Sequence, residues 1–430
     1  MRATSAREGG SRELWAVGLA AALIAGVVLR LIWPNDIEFK SDERWMFARA
    51  LNVGVTEPWP WLGMPSSATV ANPGLNVWFF AALRRLSQAA DPPELARAVQ
   101  VLNICAIAIL VFFALRIVGE KEREPWLWAA GLGSVNPIAI LFQRKIWQPC
   151  VLPIFTIVLL IGWWRRDRRV GAFVWGLVGA ILGQIEIAAF FFAAAFALWT
   201  EIYQRQGVRW KAWFVGSVLG ALPMLPWLAY LHRESSRHPA FPGHFSHLFE
   251  FSFWIRWVTE PFGLGLSYSL GSDYRNFLAG PMIAGARTRL VLLIHLLLII
   301  CALVVFGRWL LTRSGDTPIL DARNSSTGLA LSASFIGFGV LLTLSTLPIH
   351  RWYLIAAFPL EFVWLARMAL AADRSAQPRR FGRKLLAVLC ALQAILSFWF
   401  LSYIHLNGGA PHGDYGVSYS AQLTKGAQIK

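Results

Sequence analysis

The run Leu14-Trp15-Ala16-Val17-Gly18-Leu19-Ala20-Ala21-Ala22-Leu23-Ile24-Ala25-Gly26-Val27-Val28-Leu29-Arg30-Leu31-Ile32-Trp33, followed at once by Pro34-Asn35-Asp36-Ile37-Glu38-Phe39-Lys40-Ser41-Asp42-Glu43-Arg44, decides how the rest of the chain is read. Its first part holds a single charge, Arg30. A helix rises about 1.5 Å per residue, so about 20 apolar residues cross a hydrocarbon core about 30 Å thick. Arg2, Arg7 and Arg12 precede the run, and no small-residue cleavage site closes it. The expectation is an uncleaved signal anchor with a cytoplasmic N-terminus. The second part, acidic and polar, then begins the outer face.

The same pattern recurs along all 430 residues: 56% are apolar, while charged residues make up 15% and gather in short clusters between apolar runs. These figures exclude a soluble enzyme, a disordered chain, a collagen-like chain and a disulfide scaffold. The four cysteines fall in or beside apolar runs, where a thiol is a small hydrophobe. The net charge of +16 is read through the membrane and not through nucleic acid, because clusters such as Arg165, Arg166, Arg168 and Arg169, or Arg374, Arg379, Arg380, Arg383 and Lys384, follow apolar stretches, as cytoplasmic loops do. Eleven segments qualify as spans: 14–33, 95–117, 126–142, 147–164, 170–185, 187–203, 212–231, 288–307, 329–349, 352–371 and 385–405. Alternation places 118–125, 165–169, 204–211, 308–328 and 372–384 inside, each with at least two Lys or Arg. The outside receives loops 34–94 and 232–287 and a tail, 406–430. The expected fold is an all-α polytopic membrane protein, with residues 1–405 as one transmembrane domain.

Within the first outside loop, Ser41 to about Val53 has no Pro or Gly and suits a short amphipathic helix at the interface. Asp42 falls at its start, where a carboxylate caps backbone N–H groups. A second acid at Glu43 exceeds what capping requires, and a carboxylate at the outer surface can instead act as a general base toward an acceptor hydroxyl. Asp42 and Glu43 lie about 100° apart on a helix, so they face different ways; Asp36 and Glu38 are reserves. Asn72-Pro73-Gly74-Leu75-Asn76 opens a second juxtamembrane helix, with Arg84 and Arg85 at its end reaching toward headgroup phosphates.

An acidic pair directly after the first span, a Pro-initiated helix before the second and a large later outside loop resemble the membrane glycosyltransferases of the C-type fold, in the branch of the protein O-mannosyltransferases and aminoarabinose transferases. The resemblance implies a polyprenyl-phosphate sugar as donor, inversion at the anomeric carbon, and a catalytic carboxylate at Asp42 with Glu43 adjacent. The chain departs from the pattern at Asn72-Pro73-Gly74, where relatives commonly have His-Pro-Pro, and it shows no second acid in the next outside loop.

Other outer-face residues fit that chemistry. Arg144 and Lys145, in the turn Gln143 to Pro149, can neutralise a donor phosphate or simply anchor headgroups. Arg351, beside His350, Trp352 and Tyr353, is a third phosphate candidate if the helix ends converge. Gln184 and Glu186, where two spans meet, are substrate-binding candidates or a bland polar turn. Glu361 lies mid-span and is expected to line a hydrated cavity or meet a cation. His232, His238, His244 and His247 share the large loop with no compact zinc spacing, so no metal site is assigned and no cofactor is required; a divalent ion is not indicated. The loop is expected to shape an acceptor pocket, with Tyr268, Asp273, Tyr274 and Arg275 as contacts, and the glycine-rich tail from Gly408 to Gly416 either folds back over the site or frays. The resulting expectation is a glycosyltransferase of the bacterial inner membrane acting outward on a lipid, glycan or protein acceptor. A transporter or lipid flippase is the alternative, and a non-catalytic assembly factor a third.

Overall fold

The structure is a computed structural model that describes residues 2–65, 71–237, 250–312, 319–345, 347–371 and 378–428. Helix α1 (Arg2–Leu31) leads to two shorter helices, α2 (Ser41–Asn52) and α3 (Leu75–Ser87). Then come α4 (Pro92–Arg116), α5 (Glu120–Val135), the short α6 (Pro137–Phe142), α7 (Leu152–Trp164), α8 (Arg169–Ile185), α9 (Ala188–Gln204), α10 (Trp210–Ala221) and α11 (Leu225–Arg237). The segment after α11 holds α12 (Ser252–Thr259), α13 (Leu266–Leu270) and α14 (Tyr274–Ala279). The chain continues with α15 (Leu290–Thr312), α16 (Ser326–Ser332), α17 (Gly339–Leu344), α18 (Leu360–Leu370), α19 (Pro378–Asn407) and the tail helix α20 (Tyr419–Gln428).

Capping chemistry sets several of these boundaries. Asp91 accepts the N–H of Glu94 at 2.9 Å ahead of Pro92-Pro93, Asn136 accepts from Ile138 and Ala139 ahead of Pro137, and Ser325 accepts from Gly328. Proline fits a first turn because its missing N–H would be unsatisfied there in any case. The breaks expected at 142–147 and 185–187 are present, with helices ending at Phe142 and Ile185. The protein is an all-α polytopic membrane protein, with, among the described residues, three two-stranded ladders at Leu62–Pro65 with Ala71–Pro73, Met282–Ile283 with Ala286–Arg287, and Gly409–Ala410 with Gly416–Val417.

Every segment read as a span is helical, but not every one is a long unbroken helix. Among the described residues five helices are long and apolar enough to cross: Pro92–Arg116, Trp210–Arg233, Leu290–Leu311, Ser326–Leu344 and Arg380–Asn407. A sixth is counted if Arg351–Ala357 and Leu360–Leu370, bent by 74°, form one broken span. Ala16–Leu31, Gln148–Trp164, Arg169–Ile185 and Ala188–Gln204 are shorter apolar helices. Glycines let some of them pack closely. A Cβ on Gly176 or Gly216 would lie 2.1 Å from a carbonyl of the opposing helix, so α8 and α10 meet backbone to backbone, the small-residue contact common where lipid supplies no hydrophobic drive between helices.

Among the described residues the connections segregate to two ends, grouped as the expected alternation groups them. At one end Arg209 N donates to Arg166 O at 3.0 Å, Gln204 Nε2 to Ala322 O at 3.0 Å, Thr327 Oγ1 to Glu122 at 2.8 Å, and Arg383 pairs with Glu124 at 2.6 Å. At the other end the segments 33–43, 143–147, 260–273, 351 and 405–422 interlock, and the candidate site lies there.

Candidate active site

The segment after α1 supplies the acids. Helix α2 starts at Ser41, and the Lys40 backbone N–H that precedes it donates to Glu43 Oε2 at 3.0 Å. The side chain that reaches back to cap this helix is therefore Glu43, and not Asp42 as the position alone implied. Glu43 is 2% exposed, and Asp42 is exposed with Ser41 Oγ at 3.2 Å. The two acids thus have different surroundings, as their 100° separation requires. Burial, reinforced by the nearby Glu38 carboxylate and opposed by Lys145, pushes the Glu43 carboxyl up to about 7.

The turn after α6 supplies the cations, and it divides the two that the sequence grouped together. Lys145, 4% exposed, forms a buried ion pair with Glu38, whose other oxygen pairs with Lys40 at 2.6 Å. Lys145 Nζ also lies 5.2 Å from the centre of the Phe142 ring and 5.5 Å from that of Trp147. Arg144 points elsewhere. Its Nη1 donates to the carbonyls of Leu29, Arg30 and Ile32 at 2.8–2.9 Å and its Nη2 to Trp33 O at 3.0 Å. Leu29 and Arg30 lie in the last turn of α1, where carbonyls lack an intrahelical partner, and Ile32 and Trp33 follow it directly, so Arg144 closes a helix end and does not line the cavity.

Arg351 approaches from the 3₁₀ turn Arg351–Ala357 and is 5% exposed. Its guanidinium lies between the Phe142 ring at 5.4 Å and the Tyr268 ring at 5.2 Å, with Ser269 Oγ at 3.3 Å and Glu260 Oε1 at 3.6 Å. Trp352 packs edge-on against Trp147 at 5.0 Å. The tail closes the opposite side: Lys40 meets Asp414 at 3.2 Å, Tyr415 OH donates to Asp36 O at 2.9 Å, Ser420 N donates to Asn35 O at 3.0 Å, and Asp273 receives both the backbone N–H and the Nδ1 side of His412. Of the two fates open to the tail, it takes the first and folds back.

These groups enclose a cavity of about 240 Å³ lined by Glu38, Lys40, Ser41, Asp42, Glu43, Phe142, Lys145, Trp147, Tyr268, Arg351, Trp352 and Asp414. It brings together Glu38, Asp42, Glu43, Lys145, Arg351 and Tyr268 from among the residues singled out in the sequence. Others stand outside it. Gln184 Nε2 donates to Ala180 O and Gly220 O and so fastens α8 to α10. Glu186 is buried and accepts from Gln148 Nε2 at 3.4 Å, continuing a polar line from Asn76, whose Nδ2 donates to Gln148 Oε1 at 2.8 Å. Tyr353 packs on His350 and does not line the cavity. Asp273 serves the latch to His412, and Tyr274 packs edge-on against His295. Arg84 and Arg85 donate to the carbonyls of Ala89, just past the end of α3, and of Val53, just past α2. Asp36 pairs with His405 at 2.6 Å. Glu361 lines a smaller second cavity with Glu260 and Gln143, behind Phe142. His238, His244, His247 and Arg374 lie outside the described residues, and among the described residues no group of three or more His, Cys, Asp or Glu side chains converges as a metal site would require.

Sequence reasoning missed Lys40, Glu260 and Asp414. Lys40 was legible as a lone cation among acids. Glu260 and Asp414 had no local signal, since each reaches the site only through a long-range turn.

The fold is similar to that of the Archaeoglobus fulgidus oligosaccharyltransferase in its apo form, at 14% identity and a TM-score of 0.46 over 89% of this chain; this chain spans 56% of that one. It is also similar to ArnT from Cupriavidus metallidurans, at 12% identity, in the apo state with a TM-score of 0.40 and bound to undecaprenyl phosphate with a TM-score of 0.39. Those two matches cover 98% and 96% of this chain, and 88% of ArnT in each case. No protein-family model and no curated protein matches the sequence.

Proposed function

We propose that this protein is a membrane glycosyltransferase of the C-type fold that moves a single sugar from a polyprenyl phosphate to an acceptor hydroxyl at the outer face of a bacterial inner membrane. The observation that carries the reading is the cavity itself, where the exposed carboxylate of Asp42 shares one water-accessible space with the buried cations Lys145 and Arg351. In this reaction the acceptor oxygen attacks the anomeric carbon while the bond from that carbon to the phosphate oxygen breaks. The electron pair leaves on the polyprenyl phosphate, and the acceptor proton passes to Asp42. Attack opposite the leaving group inverts the centre. Lys145 and Arg351 meet the negative charge that grows on the leaving phosphate, in a site where burial strengthens each charge interaction. Tyr268, Trp147 and Trp352 offer faces on which a sugar ring or the first isoprene unit can rest.

A second reading has one observation in its favour. The bent pair Arg351–Ala357 and Leu360–Leu370 with buried Glu361 resembles the broken helices that transporters place at mid-membrane.

The test compares wild type with Asp42→Asn in lipid, using a panel of labelled polyprenyl-phosphate monosaccharides. The expected result is transfer by wild type and a loss of at least about 100-fold in the variant, with donor binding retained. Transfer unchanged in the variant removes Asp42 as the base. Absence of transfer from every donor, together with donor movement across sealed vesicles, favours the transporter.

A further inference from the structure

We infer that Glu260 is the positioning residue for Arg351, holding the guanidinium in place before the donor arrives and taking up a proton when the donor phosphate binds. The inference rests on the reading of Arg351 as a phosphate ligand.

The two cavity cations are not equivalent. Lys145 is paired with Glu38. Arg351 is held by ring faces on both sides and by one long hydrogen bond from Nη1 to Ser269 Oγ, while Nε and Nη2 are buried with no acceptor among the described residues. Buried donors are satisfied in the great majority of cases, so two open N–H directions on one buried guanidinium fit a group that receives its acceptor from a ligand. A planar guanidinium presents its donors as a fork that matches a phosphate.

Glu260 keeps that fork open and still supplies a counter-charge. Its oxygen lies 3.6 Å from Arg351 Nε, close enough for attraction and too far for a hydrogen bond. The backbone beneath it is fixed, because Glu260 O accepts from Asn136 Nδ2 at 2.9 Å and from Gly263 N at 2.8 Å. The other charged groups facing Glu260 are Arg256 on α12 and Glu361 on α18, which shares the smaller cavity. Arg256 Nη1 is already given to Ile349 O at 2.8 Å.

When a phosphodiester takes the open side of Arg351, two anions flank one guanidinium in a poorly solvated place. Protonating Glu260 relieves this, and burial already raises that carboxyl above the usual range. Binding then carries a proton with it, so donor affinity falls as pH rises, by up to tenfold per unit where the coupling is complete.

The full-length protein in lipid nanodiscs is titrated with a polyprenyl methyl phosphodiester, a probe whose single charge does not change between about pH 6 and 8.5. Wild type and Glu260→Gln are compared in a Glu43→Gln background, since Glu43 lines the same cavity. The expected result is a Kd that rises with pH in the parent and is flat in Glu260→Gln. An equal slope in both overturns the inference. Calorimetry in two buffers of different ionisation enthalpy reads proton uptake directly on the parent and needs no second variant; uptake near zero also overturns it, whether or not Glu260→Gln folds. A parent that fails to bind the probe overturns the donor reading and this inference with it, whereas pH-independent binding overturns the inference alone.

Discussion

Asp42 and Glu43 adjoin in sequence and differ in almost every physical respect. Asp42 meets solvent in the cavity, while Glu43 is buried, caps α2 through the Lys40 N–H and sits beside Glu38. A carboxyl held near 7 stays protonated in the folded chain where an unfolded chain would already have ionised it. Between about 4.5 and 7 the folded state therefore binds more protons than the unfolded one, and stability falls as pH rises through that window. Glu43→Gln is expected to remove this slope in chemical denaturation at pH 5, 6 and 7. It is also expected to remove an inflection near 7 from the pH dependence of kcat/KM, and an inflection that survives the substitution assigns it to another group. The acidic pair could be read from the sequence, but the division of labour within it could not, because which neighbour turns inward depends on where Lys40 and Glu38 are held by Lys145 and the tail.

Elements explain why an outer-face cation is not always a ligand. The last carbonyls of α1 lack partners within their own helix, and Arg144, arriving from the turn after α6, donates to two of them, on Leu29 and Arg30, and to those of Ile32 and Trp33 just beyond. Arg30, one residue from the same end, is fully buried and donates to Ser134 O at 2.6 Å and to Gly133 O at 3.0 Å, tying α1 to α5. Arg144→Met is expected to lower stability by about 3 kcal/mol, as the loss of charged hydrogen bonds to buried carbonyls does. Donor KM in the folded fraction should stay within about twofold. A large rise in KM at unchanged stability would instead return Arg144 to the phosphate site. The turn Gln143 to Pro149 announces two outer cations, but their side chains diverge by one residue's rotation, and only the packed helix ends decide which faces the cavity.

Over the whole molecule the connections form two interlocked sets, one joining 122–124, 166, 204–209, 322–327 and 383, the other joining 33–43, 143–147, 260–273, 351 and 405–422. Positive charge concentrates in the first set, which the positive-inside rule assigns to the cytoplasm. In a variant with Cys105, Cys150, Cys301 and Cys390 replaced, Ser267→Cys is expected to react with a membrane-impermeant maleimide on intact cells, and Asp167→Cys only after permeabilisation. The reverse pattern would invert the topology and place the cavity inside. Hydropathy and charge are properties of short stretches, and so the sequence alone determined the apolar helices, the two families of loops, the juxtamembrane helices α2 and α3 and the acids of the first loop. The number of unbroken crossings, the capping role of Arg144, the inward turn of Glu186 and Gln184, the arrival of Asp414 at the cavity and that of Glu260 beside Arg351 were decided by tertiary structure. Each of these depends on which helix ends and which distant turns are packed together, and no local period or propensity encodes that.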